Sequence, residues 1–195
     1  MVQMIDSYFK ENKFYMFHHF HSKLNKKKFL GSFEEKKFEK FIKKRNNSKD
    51  FFNVMTFDDS LNSQFLIAYK LLNKYNLKGI FFLNTFQFDK KENFNLNELV
   101  KLFVKKKFTS ISAFYKKLFS LTEIKKLNIN KINYKTEKKN YPFYTIDDIK
   151  YRYIRDNFHK KFKIEILRLF VKSNFKIKKN IKELYLSKQQ IKIIS

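Results

Sequence analysis

The sequence predicts an α/β fold, because apolar segments of strand length alternate with amphipathic segments of helix length. Three short runs read as strands: "KFYMFHHF" (residues 13–20), which is aromatic, "FFNVMTF" (51–57), which is apolar, and "GIFFLN" (79–84), apolar at almost every position. Strands of that kind are buried on both faces, and with helices between them they form a parallel sheet joined by right-handed crossovers. Composition agrees: 43% hydrophobic and 19% aromatic residues, with 26 Phe, offset the entropy of ordering the chain and exclude a disordered tail. The 195 residues suit one medium domain or a piece of a larger one.

Each element has its own local reason. Aromatic residues bounded by charge make 13–20 the first strand. In "FEEKKFEKFIKK" (33–44), Phe33, Phe38, Phe41 and Ile42 share a helical face, with acids early and lysines late as the helix dipole favours. After the second strand, "LNSQFLIAYKLLNKYN" sets Leu61, Phe65, Ala68, Tyr69, Leu72 and Tyr75 at helical spacing, and Gly79 opens the third strand. Two helical stretches, "LNELVKLFVKK" and "SISAFYKKLFS", then follow one another with no strand between, as an insertion would. A polar stretch, "NINKINYKTEKKN", leads to Thr145 and Asp148 at the spacing of a capping-box variant. A further helix is expected over 158–173, and Ser187 with Gln190 begins a last one. No Gly/Ser/Pro linker and no repeat divides the chain, so the expectation is a single unit, 1–195, with a mostly helical insertion over 95–175.

Charge admits two explanations. With 44 Lys+Arg against 18 Asp+Glu, the formal charge of +26 attracts polyanions, which makes a basic nucleic-acid or ribosome-associated binding protein the alternative function. Yet only four of the basic residues are arginines, and richness in Lys, Asn, Ile and Phe is the drift an AT-rich genome produces. The lysines recur in small groups, such as Lys26 to Lys28, Lys105 to Lys107 and Lys178 to Lys179, like solvated faces. Absence of Cys removes disulfides, thiolate metal sites and cysteine nucleophiles. The first residues lack the pattern of a secretory signal, and no apolar run approaches the roughly 18 residues of a membrane span. A cytoplasmic or membrane-surface location is the expectation.

The second strand ends on two adjacent carboxylates, Asp58 and Asp59, in "NVMTFDDSLNSQ". Neighbouring strand residues point to opposite faces, so two such groups converge only where the strand gives way to a loop. One reading has Asp59 or Ser60 capping the helix at Leu61 while Asp58 favours its positive end. The other readings are a metal ligand and a proton acceptor, at the strand end where α/β barrels carry catalysis.

The surrounding residues resemble the first motif of the polysaccharide deacetylases, the NodB-type carbohydrate esterases. In that family a strand ends in Thr-Phe-Asp-Asp-Gly, a helix follows, and a lysine- or tyrosine-rich turn enters a strand of the type Ala-Thr-Phe-Phe. Thr56, Phe57, Asp58 and Asp59 match the motif, Ile80 to Leu83 stand where the next strand would be, and "YMFHHFHS" (Tyr15 to Ser22) resembles the first-strand segment. The resemblance covers residues 13–86. It implies the N-terminal portion of a distorted (β/α) barrel and a metal-dependent hydrolase that removes N-acetyl groups from a glycan or polysaccharide. It further implies Asp58 as general base and Asp59 as ligand of a divalent metal, zinc in most members.

Two departures qualify that resemblance. The family's metal site is completed by two histidines at His-x-x-x-His spacing, whereas His18, His19, His21 and His159 contain no pair four apart. The resemblance therefore implies a truncated N-terminal fragment with little or no activity. A domain of the same type that binds glycans or a partner without chemistry fits the residues as well. On a strand, His19 and His21 can share one face while His18 takes the other. Ser60 stands where the family has Gly, which matters if that position needs positive φ.

Overall fold

The computed structural model describes residues 13–22, 32–46, 53–85 and 94–195. Phe51, Phe52, Phe86 and the group Lys26 to Lys28, all used above, lie outside the described residues. The chain divides into two compact units: Met1–Asn95 with Lys178–Ser195, and Leu96–Ile177 between them. The class is α/β, with a small parallel sheet and a majority of helix.

In the first unit β1 (Lys13–Phe17), β4 (Asn53–Phe57) and β5 (Ile80–Phe81) form a three-stranded sheet in the order β1-β4-β5, parallel throughout. Register runs from Lys13↔Asn53 to Phe17↔Phe57, so β1 and β4 end level with each other. Two further short strands, β2 (Phe20–His21) and β3 (Phe33–Glu34), pair in parallel beside this sheet. The first expected strand is thus broken at His18 and His19. The first helix, α1, spans Glu35–Asn46. Between β4 and β5 the chain forms a π-helical stretch, Gln64–Tyr69, that tightens into α2 (Lys70–Lys74).

Packing explains the order. Phe17 and Phe57 turn to the helical side, where Phe38 and Ile42 of α1 and Leu71 and Leu72 of α2 complete one buried cluster. Ring edges meet there, Phe17 to Phe38 at 5.0 Å between centroids, and Phe57 stacks on Phe81 at 4.5 Å. Both crossovers lie on this one face. On the opposite face Phe14, Met16 and Ile80 are exposed, by 40%, 61% and 46%. Thr56, between Met16 and Ile80 on that face, is buried, while the described helices pack on the side of Phe17 and Phe57. β5 is also shorter than "GIFFLN" suggested, because the chain after Phe81 bends to place Asn84 against the end of β4.

Glu39 ties the two helices together, accepting from Lys74 Nζ at 2.8 Å and from Tyr75 Oη at 2.5 Å. Those two donors hold its carboxyl down at about 2. Gly79 enters β5 under the ring of Phe57: a Cβ there would lie 2.7 Å from Phe57 Cε2 and 3.0 Å from Leu72 Cδ1.

The second unit is helical: α3 (Leu96–Lys107), α4 (Ile111–Phe119), α5 (Thr122–Lys125), α6 (Tyr134–Asn140), α7 (Ile146–Asn157) and α8 (His159–Lys172). Its core is again phenylalanine, with Phe103, Phe114, Phe162 and Phe170 almost wholly buried. The capping box forms as its spacing predicts, Asp148 N–H donating to Thr145 Oγ1 and Thr145 N–H to Asp148 Oδ2. Burial pushes the Asp148 carboxyl up, but the donors Thr145 and Tyr115 outweigh it and the net direction is down. The polar stretch before it also makes a helix, α6, started by the Asn133 side chain accepting from Thr136 N–H and burying no residue. Periodicity gave no sign of it, since a helix without a buried face has no apolar stripe.

Chemical denaturation of Gly79→Ala should show stability lowered by about 1–3 kcal/mol, because Phe57 and Leu72 must yield to the added methyl. The acid sensitivity of Glu39 has a defined sign. Its folded value lies below the ordinary 4.5, so its contribution is complete above that pH and disappears as pH falls towards about 2. The stability difference between the native chain and Glu39→Gln should therefore shrink over that window in acid-titrated thermal melts.

Candidate active site at the strand ends

Parallel strands that end level bring the residues just past them to one edge, and here that edge carries His18, Asp58 and Asp59. The ladder continues one residue beyond the strand, with Asp58 N–H donating to Phe17 O at 3.1 Å. The chain then reverses through Asp59 and Ser60, with φ of 73° and 52°. Both lie in the left-handed region, which Asp tolerates through its short polar side chain and Ser tolerates poorly. The position where the resemblance expects glycine does adopt positive φ.

Ser60 stays there because its polar atoms are used. Its hydroxyl accepts from Asn84 N–H at 2.7 Å, and its carbonyl accepts from Leu186 N–H at 2.8 Å. A glycine would keep the second bond and lose the first. The helix start is served by another residue: Leu61 N–H donates to Gln64 Oε1 at 3.2 Å.

Gln64 is the residue that sequence reasoning missed. It is fully buried, and its Nε2 donates both to His18 O, at 3.1 Å, and to Asp58 O. One carboxamide therefore ties the ends of two strands to the first turn of the following helix. The signal was present in the sequence, since Gln64 falls on the helical stripe of Leu61, Ala68 and Leu71, where a polar residue is buried and must be bonded.

The C-terminal segment closes the turn from the other side. After α9 (Ile177–Leu184), Tyr185 pairs with Leu61 in an antiparallel bridge, and α10 (Lys188–Ile194) follows. Its capping box forms as expected, Gln190 Oε1 accepting from Ser187 N–H while Gln190 Nε2 donates to Asn62 Oδ1 at 2.8 Å. Asn62 Nδ2 also donates to Glu183 O, and Tyr69 Oη to Ile193 O at 2.9 Å.

The histidines separate. His19 and His21 are buried, His21 Nδ1 lying 2.7 Å from Ser32 Oγ. His18 turns outward, and its Nδ1 lies 3.2 Å from Asp59 Oδ2. His159 begins α8 in the other unit and is exposed. Asn84 Nδ2 stands 3.5 Å from the second Asp59 oxygen, Oδ1. Among the described residues no group of three or more metal-ligating side chains is gathered. Carboxylate oxygen is nonetheless a donor that zinc and similar cations accept, and Asp59 offers it at a water-accessible edge beside a second carboxylate, Asp58.

No helix among the described residues is long and apolar enough to cross a membrane. The chain matches no protein-family model, no curated protein and no solved structure.

Removing the central carboxamide should be visible in stability. Gln64→Leu is expected to lower the free energy of unfolding by about 1–3 kcal/mol in urea titrations, because it leaves the His18 and Asp58 carbonyls and the Leu61 N–H without that partner.

Proposed function

We propose that the chain carries the catalytic-aspartate segment of a metal-dependent carbohydrate deacetylase, hydrolysing the acetamide of an N-acetylated glycan. The observation that supports this reading most is the pair Asp58 and Asp59 at the C-terminal end of the central parallel strand, where the chain enters a left-handed turn at Asp59 and Ser60. Backbone strain at a sheet's carboxyl edge is a feature of functional sites, and the Leu61 N–H at the start of the following helix is bonded by Gln64.

In this proposal Asp59 holds a divalent metal and Asp58 acts as the base. The metal, when bound, polarises the acetyl carbonyl and lowers the pKa of water toward about 7. Asp58 accepts a proton as water oxygen adds to the acetyl carbon. The C–N bond then breaks, that proton passes to the departing nitrogen, and acetate and a free sugar amine leave. Adjacent carboxylates stay ionised together beside a cation, which offsets their repulsion. Basic groups across the chain favour an anionic glycan through the general field.

Acetate release from N-acetylated oligosaccharides with added zinc tests this. Release by this chain should be slow, and Asp58→Asn should reduce it by about 10²-fold or more, the contribution of a general base. Acetate release that is equal in the native chain and in Asp58→Asn overturns the proposal.

A further inference from the structure

Resting on that reading, we propose that His18 is a ligand of the metal, bound together with Asp59. The two donors leave neighbouring parallel strands just past the register pair Phe17↔Phe57 and stand 3.2 Å apart, Nδ1 to Oδ2. Two ligand atoms bound about 2.0–2.2 Å from one ion lie roughly 2.8–3.6 Å from each other, the shorter end octahedral and the longer end tetrahedral. The pair already has the spacing of one edge of a coordination polyhedron, so an ion could enter without moving either strand.

A plain ion pair has the same spacing, and the surroundings distinguish the two. The side chains of His18 and Asp59 are 45% and 28% exposed, and an ion pair so open to water adds little to stability. The chain nevertheless holds both groups in place. Gln64 Nε2 fixes the carbonyls of His18 and Asp58, and Asp59 itself sits at a φ of 73°. Strain and a buried carboxamide spent on a weak surface pair make sense when the pair serves a third body. Imidazole and carboxylate are a donor set for zinc, cobalt, nickel or manganese, and the chain has no thiolate to compete. His19 and His21 are buried, His21 against Ser32, whereas the His18 side chain is 45% exposed beside Asp59. Two protein donors leave the remaining positions to water and to the acetyl oxygen.

The test is cation binding, read without any turnover. Cobalt(II) absorption, and zinc competition against a chromophoric chelator, should show one equivalent bound by the full chain. His18→Ala and Asp59→Asn should each weaken binding at least tenfold, whereas His159→Ala leaves it unchanged. Zinc should also shift the imidazole nitrogen resonances of His18 in the native chain, a readout independent of any variant. Absence of binding, or affinity kept within twofold in His18→Ala, overturns the inference. Acetate release that needs Asp58 and is indifferent to His18→Ala removes the ligand and leaves the deacetylase. Binding that needs His18 and Asp59, with acetate release unchanged in Asp58→Asn, leaves the metal site and removes the deacetylase.

Discussion

The carboxamide of Gln64 is the contact on which the candidate site depends. A parallel sheet leaves the last carbonyls of its strands unpaired at one edge, and buried carbonyls require a donor. Gln64 supplies it to two strands at once, through His18 O and Asp58 O, while its oxygen takes the first free N–H of the helix. The relative position of His18 and Asp59 follows from that three-way tie. Without it β1 and β4 would still pair and end level, but the His18 and Asp58 carbonyls would lose their tie to the helix.

The turn itself is held from outside as well as from below. Asp59 and Ser60 occupy a backbone region that costs roughly 1–2 kcal/mol per ordinary residue, and only bonds formed elsewhere keep them there. Ser60 uses its hydroxyl on Asn84 and its carbonyl on Leu186, so the chain just past β5 and the C-terminal segment both bear on the residue next to the aspartates. Residues 178–195 return to the sheet unit after the 82 residues of the helical unit, and they add polar contacts to the buried side chains of Leu184, Tyr185 and Leu186. A segment that only covered apolar surface would not need Gln190 to divide its amide between Ser187 and Asn62.

Much of the fold was legible because its causes are local. The helix at 35–46, the capping box of Thr145 and Asp148, and that of Ser187 and Gln190 follow from residues within one turn of each other. α6 was not legible, since it buries nothing, and the length of β5 was not, since Asn84 is drawn away by a hydroxyl 24 positions earlier. Exposure of Phe14, Met16 and Ile80 was not legible either: apolar composition states that a position can be buried, and only the path of the chain states what covers it.

The sequence by itself determined that Asp58 and Asp59 end an apolar strand, that the chain is α/β, and that glycine is missing where the backbone turns. Those are properties of neighbours along the chain. Tertiary structure decided which histidine meets the aspartates. Alternation separated His18 from His19 and His21, but which side faced Asp59 was set by the register of β1 against β4 and by one buried glutamine. Register is a relation between segments 40 residues apart, with side chains of similar polarity on both strands, so no local rule could have chosen it.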